Sequence, residues 1–463
     1  MRRFALVVIA GASSLVAASP PRLAAQGFSV YEHSTCAMGR AGVTAARPCA
    51  DGSAIFFNPA GITGLSGTHL SAGVTFIGAH GSFTDDFLAQ QSDLKNPVIP
   101  VPNVYLTHQF SPKLNAGLGV YAPYGLQTKW DDNTSPGRFI GYFTDIRSIY
   151  VQPTIGYEIS PKLKFGIGVA YIHSTLKLKQ RTDLSTQVVP AALAGPALLP
   201  PGTTFGMLGV ATGTDFANAS LEATGTGFAV NFGAIYKVND KLSIGGHWLT
   251  RKQINYDGNA TFTRVLTNLV LPVAVGPLPA GTPLDGVLQP LFGAGGPLSN
   301  GTVSTSIEMP PQGSLGFAYK VNDAWSVMAD WHYMVWGWFN TVNIDFANPG
   351  TPDLALHPQN KDTHGFRFGT EYQYNAKVML RGGYLYHGAA SPDQFVTPLL
   401  PEAPRNEFTL GAGIELSPRF HADLAYQYIR QNDRRGTVNL AQGNTGLYKF
   451  SANLFGLGLA YTF

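Results

Sequence analysis

The last run of the chain sets Phe455, Leu457, Leu459, Tyr461 and Phe463 on one face and Gly456, Gly458 and Ala460 on the other. A period of two residues belongs to a β-strand whose faces meet unlike surroundings. The pattern recurs near Phe228, where Phe228, Val230, Phe232 and Tyr236 alternate with Asn231, Gly233 and Lys237. From Trp325, the set Trp325, Val327, Trp331, Tyr333 and Val335 alternates with Asp330 and His332. Beyond the N-terminus no run reaches the ~18 apolar residues that mark a helical membrane span. A soluble β-sandwich is the competing reading, but long runs with a bulky apolar outer face point to a barrel. Its apolar face meets lipid and its charges face the lumen. Composition agrees: 13% of the 463 residues are charged, 12% are aromatic and 53 are glycine. Soluble proteins carry about a quarter charged residues. A net charge of +3 gives no reason to expect a nucleic-acid partner.

Met1-Arg2-Arg3 followed by the apolar Phe4 to Ala18 reads as a secretory signal peptide. Cleavage is expected after Ala25, with Ala18 as the alternative. The expected organisation is a signal peptide over 1–25, an N-terminal hatch over 26–67 and a barrel over 68–463. Cys36 and Cys49 both fall in the hatch. In an oxidising compartment they are expected to pair, stabilising so short a loop by about 3 kcal/mol. The hatch ends in a stretch from Ser53 to Gly61 with bulky Phe56 and Phe57, then Asn58-Pro59-Ala60. Asn and Pro together signal a turn.

Short polar turns recur, among them Ser111-Pro112-Lys113, Ser160-Pro161-Lys162, Asn239-Asp240-Lys241 and Ser417-Pro418-Arg419. They alternate with long connections, as in outer-membrane barrels with short periplasmic turns and long outer loops. The count is about fourteen antiparallel strands, with both termini periplasmic. Leu176 and Leu178 fall out of phase with Phe165, Ile167 and Val169, which calls for a bulge or for a strand extending beyond the bilayer. Two long loops are unusually apolar, one around Leu198 and Leu199, the other around Leu271 and Val273. Such patches either capture something greasy or pack on each other.

The chain shows no HExxH, CxxC, Walker A or GxSxG motif, and its eleven histidines lack metal-ligand spacing. No enzyme activity, cofactor or metal is expected. The phase turns Gly117, Gly119, Gly166, Gly168, Gly411, Gly413, Gly456 and Gly458 inward, leaving volume for the hatch. It also assigns Arg251, Arg367, Arg381 and His247 to the lumen, beside Asp330, His332 and Glu371. These are candidates to hold a carboxylate head group, Arg251 first. The alternative is a ladder of ion pairs bracing the wall. Gly117, Gly119 and Pro123 on the third strand and Pro153 on the fourth mark where the wall is weakest, because proline donates no ladder hydrogen bond.

Asn58-Pro59-Ala60, the segment Gly117 to Gly125 with Trp130 and Gly137-Arg138, Leu315-Gly316, Trp331 to Phe339 and Leu380 to Tyr384 together resemble the long-chain fatty acid and hydrocarbon outer-membrane transporters, the FadL/TodX family. The resemblance implies a fourteen-stranded barrel closed by a hatch and capture of a hydrophobic molecule by outer loops. Passive lateral release through a gap at the third strand would follow. The implied partners are fatty acids or aromatic hydrocarbons, outer-membrane lipid and the barrel insertion machinery, which reads the terminal Phe463. The chain is expected to act as a monomer. A general porin for small polar solutes is the alternative function.

Overall fold

The computed structural model describes residues 29–189, 199–200, 202–275, 277–356, 359–437 and 445–463; the signal segment lies outside them. Fourteen antiparallel strands form the wall. The first six are β1 (Thr68–Asp85), β2 (Ile99–Ser111), β3 (Leu114–Lys129), β4 (Phe143–Ser160), β5 (Leu163–Asp183) and β6 (Asp215–Lys237). Three interrupted strands follow: β7 (Leu242–Leu249 and Lys252–Arg264), β8 (Gly301–Met309 and Gln312–Lys320) and β9 (Trp325–Met334 and Val342–Phe346). The last five are β10 (Thr363–Asn375), β11 (Val378–His387), β12 (Arg405–Ser417), β13 (Phe420–Gln431) and β14 (Thr445–Thr462). Each strand pairs with the next, and β14 pairs with β1 from His69↔Thr462 to Asp85↔Gly446, closing the sheet. Closure leaves no sheet edge along this seam, which hydrocarbon would penalise.

The expected alternation is visible in the wall. Phe455, Leu457, Leu459 and Phe463 are exposed on the outer face, as are Phe228, Phe232 and Tyr236, while Asn231, Asp330 and His332 are buried inside. On β5 the outer set Phe165, Ile167 and Val169 gives way to Leu176, which is buried in the lumen. The 21-residue strand has no register shift there, so it extends upward without a bulge, and Leu176 and Leu178 belong to the inner face.

Inside the barrel sits a compact N-terminal segment. It comprises α1 (Thr35–Met38), α2 (Ala54–Phe57) and a 3-10 turn (Pro59–Gly64). Ser34 caps α1 by accepting from the Ala37 N–H at 3.1 Å. Cys36 and Cys49 are joined in a disulfide. Four-residue helices have little stability of their own, and the wall supplies the rest. Asp330 accepts from the Thr44 and Ala45 amides at 2.8 and 3.0 Å. Gln152 donates to the Ile55 carbonyl at 2.6 Å, and Asn231 donates to that of Phe56 at 2.6 Å. Asn58 donates to Ala45 at 2.6 Å and to Ala234 on β6 at 3.1 Å, and accepts from the Ala60 amide. One side chain thus caps the 3-10 turn and moors it to the wall.

Glycines make this contact close. A Cβ on Gly166 would collide with the Pro59–Ala60 backbone, and one on Gly245 with the Ala45 carbonyl. Gly117 and Gly119 meet Ile55, Gly411 meets Gly39, and Gly456 and Gly458 meet Thr35. Gly168 and Gly413 also point inward, toward Gln152 and Arg381 respectively.

Candidate functional site

Among the described residues, the wall parts between β2 and β3 and opens the lumen sideways. The β2–β3 ladder ends at Val104↔Val120. Yet β2 stays paired with β1 as far as Ile77↔Ile99, and β3 stays paired with β4 as far as Lys129↔Phe143, across a bulge at Tyr121–Tyr124. Pro100 and Pro102 on β2 explain the parting. Residues two apart present their backbone groups to the same neighbour. The β1 ladder runs unbroken past both prolines, so the missing donors face β3.

Two other segments occupy the abandoned edge of β3. The Val30 amide donates to Pro123 at 2.9 Å. Asn96 donates to the Gln127 carbonyl at 2.5 Å and accepts from the Lys129 amide at 2.7 Å. Between them lies a cavity of about 570 Å³, reaching from Glu32 and Arg405 in the lumen to Pro100, Val120 and Ile149 at the wall. Its inner side carries tyrosines: Tyr121 and Tyr124 stack on Tyr150 with centroids 5.7 and 6.2 Å apart. The Tyr124 hydroxyl donates to the Pro310 carbonyl at 3.1 Å and accepts from Lys252 and Gln312 at 2.7 and 2.8 Å. Both arginines lining the cavity are matched, Arg147 by Asp145 at 2.6 Å and Arg405 by Glu407 at 2.7 Å. The lining is otherwise largely apolar, which suits a hydrophobic ligand.

The weak seam therefore differs from the one expected between the third and fourth strands. Gly117, Leu118 and Gly119 keep their partners Thr154, Pro153 and Gln152 on β4. Pro153 is exposed on the outer face. Pro123 does belong to the opening, at the β3 bulge. Pro100 and Pro102, two prolines at strand spacing, were the signal available in the sequence.

The arginine assignments divide. Arg251 is not in the lumen: it lies on the outer face, over the Trp338 ring at 4.5 Å and 3.9 Å from Glu308. The interruption of β7 at Thr250–Arg251 explains this. His247 and Leu249 point inward below it, and Lys252, Ile254 and Tyr256 point inward above it, so the phase flips between the two runs. Lys252 takes the buried position instead, donating to Tyr124 and to the Pro310 carbonyl at 2.9 Å. Arg367 is buried with its guanidinium 3.7 Å over the Tyr31 ring. Arg381 pairs with Glu371 at 3.2 Å and with Asp423. Glu371 in turn holds Arg40 and Arg47 of the N-terminal segment at 2.8 and 2.9 Å. His247 is buried near Phe56, with ring centroids 6.1 Å apart. Arg367, Arg381 and His247 are packed against the segment that fills the lumen, which favours bracing over head-group binding.

The apolar loops pack on each other. Leu271 and Val275 of one loop form a buried cluster with Leu184, Val189, Phe205 and Phe216, and Leu199 packs against it. Val273 stays exposed, and Leu198 lies outside the described residues.

Known proteins share this architecture. The profile of the outer membrane protein transport proteins (OMPP1/FadL/TodX) matches residues 14–463. A 47 kDa outer membrane protein of Pasteurella multocida is 23% identical over 461 residues, covering 100% of this chain and 99% of its own. A long-chain fatty acid transport protein of Escherichia coli is 22% identical over 461 residues, covering 94% of each. Among solved structures, a Pseudomonas aeruginosa FadL homologue aligns with a TM-score of 0.77 at 18% identity, covering 95% of this chain and 100% of that one. The Pseudomonas putida toluene transporter TodX aligns with a TM-score of 0.70 at 19% identity, covering 95% and 99%.

Proposed function

Because this chain belongs to the outer membrane transport family OMPP1/FadL/TodX, we propose that it carries long-chain fatty acids or other hydrophobic compounds across the outer leaflet by passive lateral diffusion. The supporting observation is the cavity of about 570 Å³ where β2 leaves β3, with one end in the lumen and the other at the lipid-facing wall. A ligand captured among the outer loops moves into this cavity and leaves sideways, while the N-terminal segment stays in place as a hatch. Burial of apolar ligand surface, worth about 25 cal/mol per Å², drives binding without an energy source. The hatch also argues against a general porin, because it occupies the lumen that polar solutes would need.

Cysteines at Val101 and Ala122, one on each lip of the cavity, test the route. Cross-linking them should abolish uptake of labelled oleate and of toluene, and mild reduction should restore it. Wild type treated in the same way controls for the native disulfide. Full uptake through the cross-linked protein would refute lateral exit and favour release past a displaced hatch around Asn58.

A further inference from the structure

The outer face of β3–β5 carries a cluster of cations above its apolar stretch. On β4 the outward residues from Ile149 to Ile159 are apolar, with Ile149, Ile155, Tyr157 and Ile159 all exposed. About ten steps of ~3.3 Å along a strand tilted by ~40° rise about 25 Å, the height of an outer-membrane apolar band. Arg147 is the next outward residue above that band, with its side chain 66% exposed. Lys177 and Lys179 on β5 and Lys129 on β3 follow above it.

These cations are not equally satisfied. Arg147 pairs with Asp145, and Lys177 pairs with Glu222 at 2.8 Å. Neither Lys129 nor Lys179 makes an ion pair among the described residues, although Lys179 also feels the Glu222 carboxylate that Lys177 holds. Both stand beside Phe143: the ladders run Lys129↔Phe143 and Phe143↔Lys179, and the Lys179 ammonium lies 5.8 Å from that ring. Neighbouring strands lie ~4.8 Å apart, so the two lysines start about 10 Å apart with an aromatic ring between them.

Farther along the hydrogen-bonded row of Arg147 the charge changes sign. The hydrogen-bonded row through Arg147 continues to Thr175, Thr224, Asp257, Ser304 and Asp345. Along that row the cation, Arg147, lies on β4 and the aspartates, Asp257 and Asp345, lie on β7 and β9.

We propose that the outer face of β3–β5, above the apolar band, binds the phosphates of an outer-leaflet lipid, with Lys129 and Lys179 as the principal ligands. Arg147 and Lys177 add to the field from below. An exposed ammonium near a membrane surface attracts anionic head groups, and height decides which groups it meets. Phe143 supplies an apolar surface between the two ammonium groups. Arg147 also lines the cavity between β2 and β3, so the bound lipid stands at the rim of the opening. This inference rests on the outer-membrane placement and not on the identity of the transported compound.

The test uses the full barrel in phosphatidylcholine nanodiscs supplied with bis-phosphorylated lipid A, with lipid A stripped of both phosphates, or with inorganic phosphate. Bound lipid is counted by native mass spectrometry, and heat-modifiable migration checks folding. The double variant K129Q/K179Q should bind the bis-phosphorylated lipid about thirtyfold more weakly. K113Q/K241Q, which removes the same charge from exposed periplasmic turns, should bind like wild type. Equal loss in both double variants, equal binding of the dephosphorylated lipid, or full displacement by inorganic phosphate would each overturn the proposal.

Discussion

Replacing Glu371 with leucine should unseat one end of the hatch. Glu371 is buried, with its side chain 7% exposed, and faces Arg40 of the hatch at 2.8 Å. Its other partners are insulated from the loss. Arg381 keeps Asp423, and Arg47 is 45% exposed, so water solvates it. Arg40 is 1% exposed and has no second carboxylate among the described ion pairs. Stranding a buried charge costs about 3–5 kcal/mol. Most of that cost disappears if the residues around Arg40 lift away from β10, so the undocked population should rise by about a thousandfold. Hydrogen exchange at the Thr44 and Ala45 amides, both bonded to Asp330, reads this opening directly. Single-channel recording should show transient conductance where wild type is silent. The double variant R40M/E371L removes both charges and should recover most of the protection, because an apolar pair can replace a buried ion pair at little cost. Unchanged exchange in E371L, or no recovery in the double variant, would refute the reasoning.

Other expectations follow from the same contacts. Gly166→Leu places side-chain atoms in the Pro59–Ala60 backbone and should cost about 1–3 kcal/mol, read as a lower urea midpoint of the refolded barrel. Leu271→Asp buries a charge in the loop cluster with Leu184 and Phe205; protease should then cut the outer loops while the barrel core stays resistant. In the connection after β3, Lys95 and the Asn133 and Thr134 amides hold the Asp131 carboxyl below the ordinary carboxylate range. A depressed carboxylate stabilises above its unfolded pKa, about 3.9, and loses that contribution as pH falls through the folded value. The two amides should therefore stay protected from exchange at about pH 5 and lose protection only in stronger acid.

Strand identity and facing were legible wherever the period of two ran unbroken, as along β14 and the lower half of β9. The disulfide between Cys36 and Cys49 was also within reach, since two cysteines allow a single intramolecular pairing. What escaped was any feature set by an interruption. Thr250–Arg251 shifts the phase of β7, and a one-residue slip turns every later side chain to the other face. No count along a single strand detects it, which is why Arg251 was placed in the lumen and Lys252 was missed. The seam of the opening depends on which neighbour each proline faces, a property of strand pairing that Pro153 alone does not disclose. The apolar loops posed a third kind of problem: composition shows that Leu271 needs covering but does not show that Phe205 covers it.

The pairing of β1 with β14 orders events in time. The first strand pairs with β2 early but finds its second partner only when the last residues, through Thr462, are available. Until then the wall is an open sheet. The hatch immediately precedes β1, and its disulfide-linked loop rests on β10, β11 and β12, through Gly369, Gly383 and Gly411. Those strands are made long after the hatch and shortly before the seam can shut. The hatch therefore has to wait, folded or not, for the far wall to arrive, and closure then confines it. Assembly of this barrel is thus a packaging step as well as an insertion step. A chain that closed before its hatch had docked would be left with its own N-terminus outside.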